Sequence, residues 1–201
     1  MSFRIVSAHA LLVALVAGCA HVAPPAADES SGPLAQVISP GSFDRALLGR
    51  AIFGETNRVR SQHGVPPLAP SPGLDSAADE QASWMALMFR SEHGNPIPGE
   101  HTVADRIAHA GIVGLRAGEN VLMMPAQRPA GPFRQDYTYA ALAAFLVDSW
   151  LHSPAHRANL LDRGYTHLGC AARFAHGVMP GDQRVFAAQV FLTAFPKNAS
   201  K

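Results

Sequence analysis

Trp150-Leu151-His152-Ser153-Pro154-Ala155-His156-Arg157-Ala158-Asn159-Leu160 passes from the end of one helix to the start of another. Trp150 closes an apolar series with helical period, Tyr139, Leu142, Ala143, Leu146 and Trp150. Ser153 is then placed to cap a new helix, with Pro154 at its first position, where a missing N–H is tolerated. His156 falls in the first turn of that helix, where the positive helix end lowers an imidazole pKa. The expectation is a neutral histidine, able to act as a ligand at neutral pH.

Upstream, Leu47, Leu48, Ala51, Ile52, Glu55 and Val59 mark a helix that starts near Asp44 and stops at Gly64. A second helix is signalled by a Ser71 cap, Pro72 at the first position and one face of Leu74, Ala77, Ala78, Ala82, Met85 and Phe89. A short third helix runs from a Thr102 cap to a Gly111 stop. Glu119 to Met124 reads as a strand, and Pro125 to Gln135, rich in Pro, Gly and Ala, as a loop. Downstream, Leu168 to Phe174 and Arg184 to Phe195 read as a hairpin closed by a turn containing Gly177, Pro180 and Gly181. Helices flanking a small antiparallel sheet make an α+β sandwich. Met85, Met88, Met123 and Met124 are expected to be packing residues.

The N-terminus has a different character. Arg4 precedes an apolar run from Ala10 to Ala17, too short to span a bilayer, and Val16-Ala17-Gly18-Cys19 follows. The tetrapeptide resembles the lipobox of bacterial lipoproteins. It implies a signal peptide over 1–18, acylation of Cys19 (palmitate among the chains) and a membrane anchor in the cell envelope. Ala20 rather than Asp after the cysteine favours the outer membrane where that sorting rule operates. Residues 19–42, rich in Ala, Pro, Ser and Gly, are expected to be a flexible tether reaching on the order of 25 Å. The folded domain is expected over 43–197. Sixteen basic against fifteen acidic residues give no charge excess that would attract a nucleic acid. Of the two cysteines, lipidation consumes Cys19 and leaves Cys170 without an intramolecular partner, so stability must come from packing. Cys170, in an apolar strand, is expected to be buried and inert.

Several segments in order resemble the CAP superfamily of cysteine-rich secretory proteins, antigen 5 and pathogenesis-related proteins, also called SCP-like. They are Asn57-Arg58-Val59-Arg60 with Gly64, Pro67 and Leu68; His93 after Trp84 and Met85; Asp105-Arg106; and Gly118-Glu119-Asn120-Val121. Trp150 with Ser153 to Leu160, then Tyr165 to Cys170, then Gln189-Val190-Phe191, complete the set. The resemblance implies an α-β-α sandwich and a cleft where the family gathers two histidines and two acidic residues, here His93, Glu119 and His156, with Gln189 nearby. Ser153 stands where animal and plant members resemble W-x-x-E; Asp148, the nearest carboxylate, does not match that spacing.

Two imidazoles and one carboxylate suit zinc and would leave a coordination position open. His93, Glu119 and His156 are therefore also metal-ligand candidates. Other readings stay open: His93 as a loop residue, His101 as its rival, Glu119 as a residue that orients a histidine, and Gln189 as a hydrogen-bonding core residue. Three functions follow: an envelope-anchored module binding a lipid, peptide or glycan, a metal-assisted hydrolase, and a structural or interaction protein. The first is preferred, because no serine nucleophile elbow or metalloprotease helix motif occurs.

Overall fold

The computed structural model describes residues 32–130, 133–179 and 181–194. The expected export segment and Cys19 lie outside them, as does the expected domain's end beyond 194. The helix α1 (Arg45–Gln62) starts where Asp44 accepts the Leu47 N–H at 2.9 Å and ends before Gly64, whose φ is 64°. Ser71 caps α2 (Pro72–Met88), with Pro72 in its first turn. A reciprocal Thr102–Asp105 capping box opens α3 (Val103–His109), and Gly111 at φ 72° follows its end. The helices α4 (Tyr139–His152) and α5 (Pro154–Leu160) meet at Ser153. Ser153 holds the cap position, but its side chain makes no capping hydrogen bond.

The strands are β1 (Ala69–Pro70), β2 (Arg116–Pro125), β3 (Gln127–Ala130), β4 (Phe133–Asp136), β5 (His167–His176) and β6 (Gln183–Thr193). The main sheet runs β1-β5-β6-β2; β6 pairs antiparallel with both β5 and β2, and β1 adds two parallel residues. Strand alternation assigns the two faces. Val185, Ala187 and Phe191 of β6 pack with α1 and α4, while Phe186, Ala188, Val190 and Leu192 pack with α2. The result is the α-β-α sandwich that the sequence implied. Leu48, Leu146 and Trp150 are fully buried in the first layer, each contributing about 1.5–3 kcal/mol or more by burial.

Four expectations need correction. The stretch 125–135 is not a plain loop: it contains the β3–β4 hairpin, paired from Gln127–Asp136 to Ala130–Phe133. The tether does not extend to Ser42. Ile38 is 3% exposed in the core, its N–H donates to Tyr137 O at 2.8 Å, and Val37 bridges Thr138. Ile38, with Leu34 and Phe43 packed against the same core, docks this Pro- and Gly-rich segment. Phe89 does not continue the α2 face; it ends the helix at φ 53° and its ring lies 5.5 Å from that of Phe186. Met88 is half exposed, whereas Met85 and Met124 are buried. Cys170 is buried as expected, and burial, then Asp75, pushes its thiol pKa far above the ordinary value.

Candidate functional site

The strand β2 is an edge of the main sheet, and its successive residues Glu119 and Asn120 point to opposite faces. Glu119 reaches α3 and the loop between α2 and α3. One carboxylate oxygen pairs with the fully buried Arg106 guanidinium, and the other lies 3.0 Å from His93 Nδ1. Arg106 also donates to Glu100 O at 2.8 Å and His93 O at 3.3 Å, tying down the loop that carries His93. Asn120 reaches the other way, donating to His156 O at 3.1 Å and to Gln189 Oε1 at 3.1 Å. Asn159 of α5 donates to Glu119 O at 3.1 Å and Asn120 Oδ1 at 3.0 Å. The edge strand thus anchors one histidine on each side, and the His93 and His156 rings stand 6.4 Å apart, inclined by 50°.

Gln189 belongs to the core rather than the cleft. It is fully buried opposite Asn120, and its amide donates to Thr56 Oγ1 at 2.6 Å, which in turn donates to Ile52 O. The expected cleft role is corrected on that ground. His101 turns away: its Nδ1 lies 3.0 Å from Asn95 O, and His93 takes the place beside Glu119.

The two imidazoles differ electrostatically. The hydrogen bond to Glu119 holds His93 above the ordinary 6.5, against burial and the Arg106 charge. Burial, then the His93 charge, holds His156 below 6.5. The lowering at His156 was expected, and burial, then the His93 charge, accounts for it. The signs oppose. The raised His93 pKa stabilises the fold below pH 6.5 and loses that contribution as pH rises through its folded pKa; the lowered His156 pKa stabilises it above 6.5 and loses that as pH falls. Imidazole proton chemical shifts followed against pH should show His93 titrating above 6.5 and His156 below. In Glu119→Gln the His93 midpoint should fall; a midpoint that stays put would remove Glu119 as the cause.

Nδ1–H of His93 is spent on the carboxylate, which leaves Nε2 and the exposed ring edge for a ligand. The zinc set expected at His93, Glu119 and His156 is not gathered with all three ligand atoms within 4.8 Å of one another, and each Glu119 oxygen already has a partner. Among the described residues, the group of three His, Cys, Asp or Glu side chains whose ligand atoms all lie within 4.8 Å of one another is Glu80, Glu100 and His109. A metal-competent group is present, away from the residues foreseen.

A separate groove of about 780 Å³ runs between α1 and α4, lined by Val59, Met124, Tyr137, Ala144, Phe145 and Leu151, with Glu55 and Arg58 at its side. Sequence reasoning quoted Arg106 and Asn159 within motifs but gave neither a role. A charged residue inside a seven-residue helix looks solvated until its partner is known. No helix among the described residues is long and apolar enough to cross a membrane.

A family model for CAP, the cysteine-rich secretory protein family, matches residues 53–179, more than half of the chain. No curated protein matches it. Among solved structures, the chain is similar to an extracellular protein containing an SCP domain from Bacillus anthracis. The identity is 26% and the TM-score 0.56, over 81% of this chain and 45% of that one. The chain thus spans less than half the length of that relative. It is also similar in fold to an outer surface protein from Borrelia burgdorferi, with 15% identity and TM-score 0.54, over 75% of this chain and 96% of that one. With the ordered motifs, the α-β-α sandwich and the family match in agreement, the chain belongs to the CAP family.

Proposed function

We propose that this CAP-domain protein is exported, held to the cell envelope through an acylated Cys19, and binds a ligand at His93 and His156 without transforming it. The observation that carries the reading is the closed Arg106–Glu119–His93 array. A general base needs a free carboxylate oxygen within reach of the proton it takes, and a metal ligand needs a free lone pair. Each Glu119 oxygen already accepts a hydrogen bond, one from Arg106 and one from His93, so in this reading its work is to orient His93 and favour its protonated form. When protonated, His93 offers a charged Nε2–H donor, beside a His156 ring that burial biases toward the neutral form. That pair suits an acidic or acceptor-rich group, such as a peptide carboxylate or a glycan of the envelope. The extracellular character of the Bacillus anthracis relative supports export, and the Val16-Ala17-Gly18-Cys19 motif supports the anchor. Zinc at His93, Glu119 and His156, and the hydrolase that would use it, have the weaker support for the same reason.

A second reading, a lipid binder, rests on the α1–α4 groove, whose volume and apolar lining are those of a small-molecule pocket. One calorimetric experiment separates the two, using the full chain with Cys19→Ser and two probes, a peptidoglycan disaccharide-peptide and palmitate. The polar-ligand reading expects disaccharide-peptide binding that weakens roughly tenfold or more in His93→Ala/His156→Ala and is untouched by Ala144→Phe. Palmitate binding abolished by Ala144→Phe and indifferent to the histidines would favour the lipid reading. Silence of both probes would leave the polar cluster as a stabiliser of the fold.

A further inference from the structure

Glu80 on α2, Glu100 in the loop that follows, and His109 at the last turn of α3 come together away from the His93–His156 pair. One oxygen of Glu80 lies 3.1 Å from His109 Nδ1. The other is buried and has no hydrogen-bond partner among the described residues, although buried carboxylate oxygens are ordinarily satisfied. Glu100 is positioned rather than loose. Its carboxylate accepts from the buried Asn95 amide at 3.3 Å, its N–H donates to Ile97 O, and its carbonyl accepts from Arg106. Two carboxylates therefore face each other across a gap in which hydrogen bonds do not use all their oxygens, with an imidazole completing a third side.

We propose that Glu80, Glu100 and His109 form a site for a divalent first-row cation, bound through two carboxylate oxygens and one imidazole nitrogen. The donor set suits zinc or manganese. Ligand atoms on a tetrahedral ion with bonds of about 2.1 Å stand about 3.4 Å apart. Closing the present spacing to that value calls for rotamer changes of the Glu80 and His109 side chains, which retain partial exposure. A bound ion joins α2, the loop and α3, the same segment through which Arg106 fixes His93, so it would stiffen the recognition surface without touching it. The site stands independently of the ligand proposed for that surface.

The test uses the full chain stripped of metal by chelator, titrated with manganese chloride by the paramagnetic resonance signal of free manganese, and with zinc chloride by calorimetry. The expected result is saturable binding of one ion per chain that weakens by about 100-fold or more in Glu80→Gln and in His109→Ala, because each removes a direct ligand. Binding should persist in His93→Ala/His156→Ala. His109 is exposed at a helix end, so His109→Ala serves if Glu80→Gln folds poorly, and metal-free melting temperatures report that. Equal affinity in the Glu80 and His109 variants, loss of binding in the His93/His156 variant instead, or no binding of either ion would overturn the site.

Discussion

Gly169→Ala is expected to be among the most damaging single-methyl additions in the domain. Gly169 lies on β5 opposite Val190, and its Cα faces the first turn of α2. A Cβ there would sit inside the Leu74 and Asp75 backbone, well under the 3.0 Å that real Cβ atoms respect. Side chains can yield to such a contact, but a helix backbone yields only by moving as a body. Here it cannot easily retreat, because Asp75 Oδ1 accepts the Cys170 N–H at 2.9 Å and stitches that turn to the neighbouring strand residue. Overpacking a core ordinarily costs about 1–3 kcal/mol, and a backbone clash belongs at or beyond the upper end. For a domain of this size, about 3 kcal/mol lowers Tm by roughly 6–12 °C. Gly54→Ala is the control: its Cβ meets nothing within 4 Å on α1, and it should stabilise by about 0.5–1 kcal/mol. Thermal unfolding of both variants decides the matter, and a Gly169→Ala chain that melts with the parent would show that α2 is not seated on β5 as described.

That seat illustrates what the sequence could and could not convey. Helix starts were legible because they depend on neighbours: Asp44, Ser71 and Thr102 cap the residues beside them, and Gly64 and Gly111 take the positive φ at their stops. Gly169 looked like any strand glycine, since the helix it must admit lies 95 positions away along the Asp75–Cys170 pair. The β3–β4 hairpin was hidden for the opposite reason: the Pro, Gly and Ala content of 125–135 is that of a loop, and only pairing makes it a ribbon.

The site divides the same way. His93, Glu119 and His156 were found because motif order brought them to notice, and the structure does bring them to one edge of the sheet. What they do there depends on Arg106, whose role no local pattern betrays. A zinc site was inferred from ligand types alone, and ligand types cannot reveal that a guanidinium already holds the carboxylate. Gln189 was assigned to the cleft by its place in a motif, while strand alternation turns it onto the α1 face beside Thr56.

Arg106→Met should therefore unfold more of the protein than its place on a short helix suggests. Arg106 has no exposed side-chain surface, and its guanidinium serves three acceptors: the Glu119 carboxylate, Glu100 O and His93 O. Methionine keeps much of the length and the packing but none of the donors. It leaves Glu119 buried with His93 as its remaining partner and releases the loop that carries His93. Breaking one side of a buried ion pair costs about 3–5 kcal/mol, chiefly because the surviving charge stays in a poorly solvating place. Removing that charge as well should recover part of the loss, so Arg106→Met/Glu119→Gln is expected to be more stable than the sum of the two single changes implies. Urea unfolding of the four chains measures the coupling. The recovery distinguishes a buried pair from a merely well-packed arginine, for which the two changes would add. Because His93 owes its raised pKa to the hydrogen bond it donates to Glu119, the double variant should also return His93 toward 6.5 even where it restores stability. A stable double variant with a normal histidine and weakened ligand binding would separate the two jobs of this cluster, holding the fold and charging the site. Simple additivity would mean that Arg106 and Glu119 are neighbours without being partners.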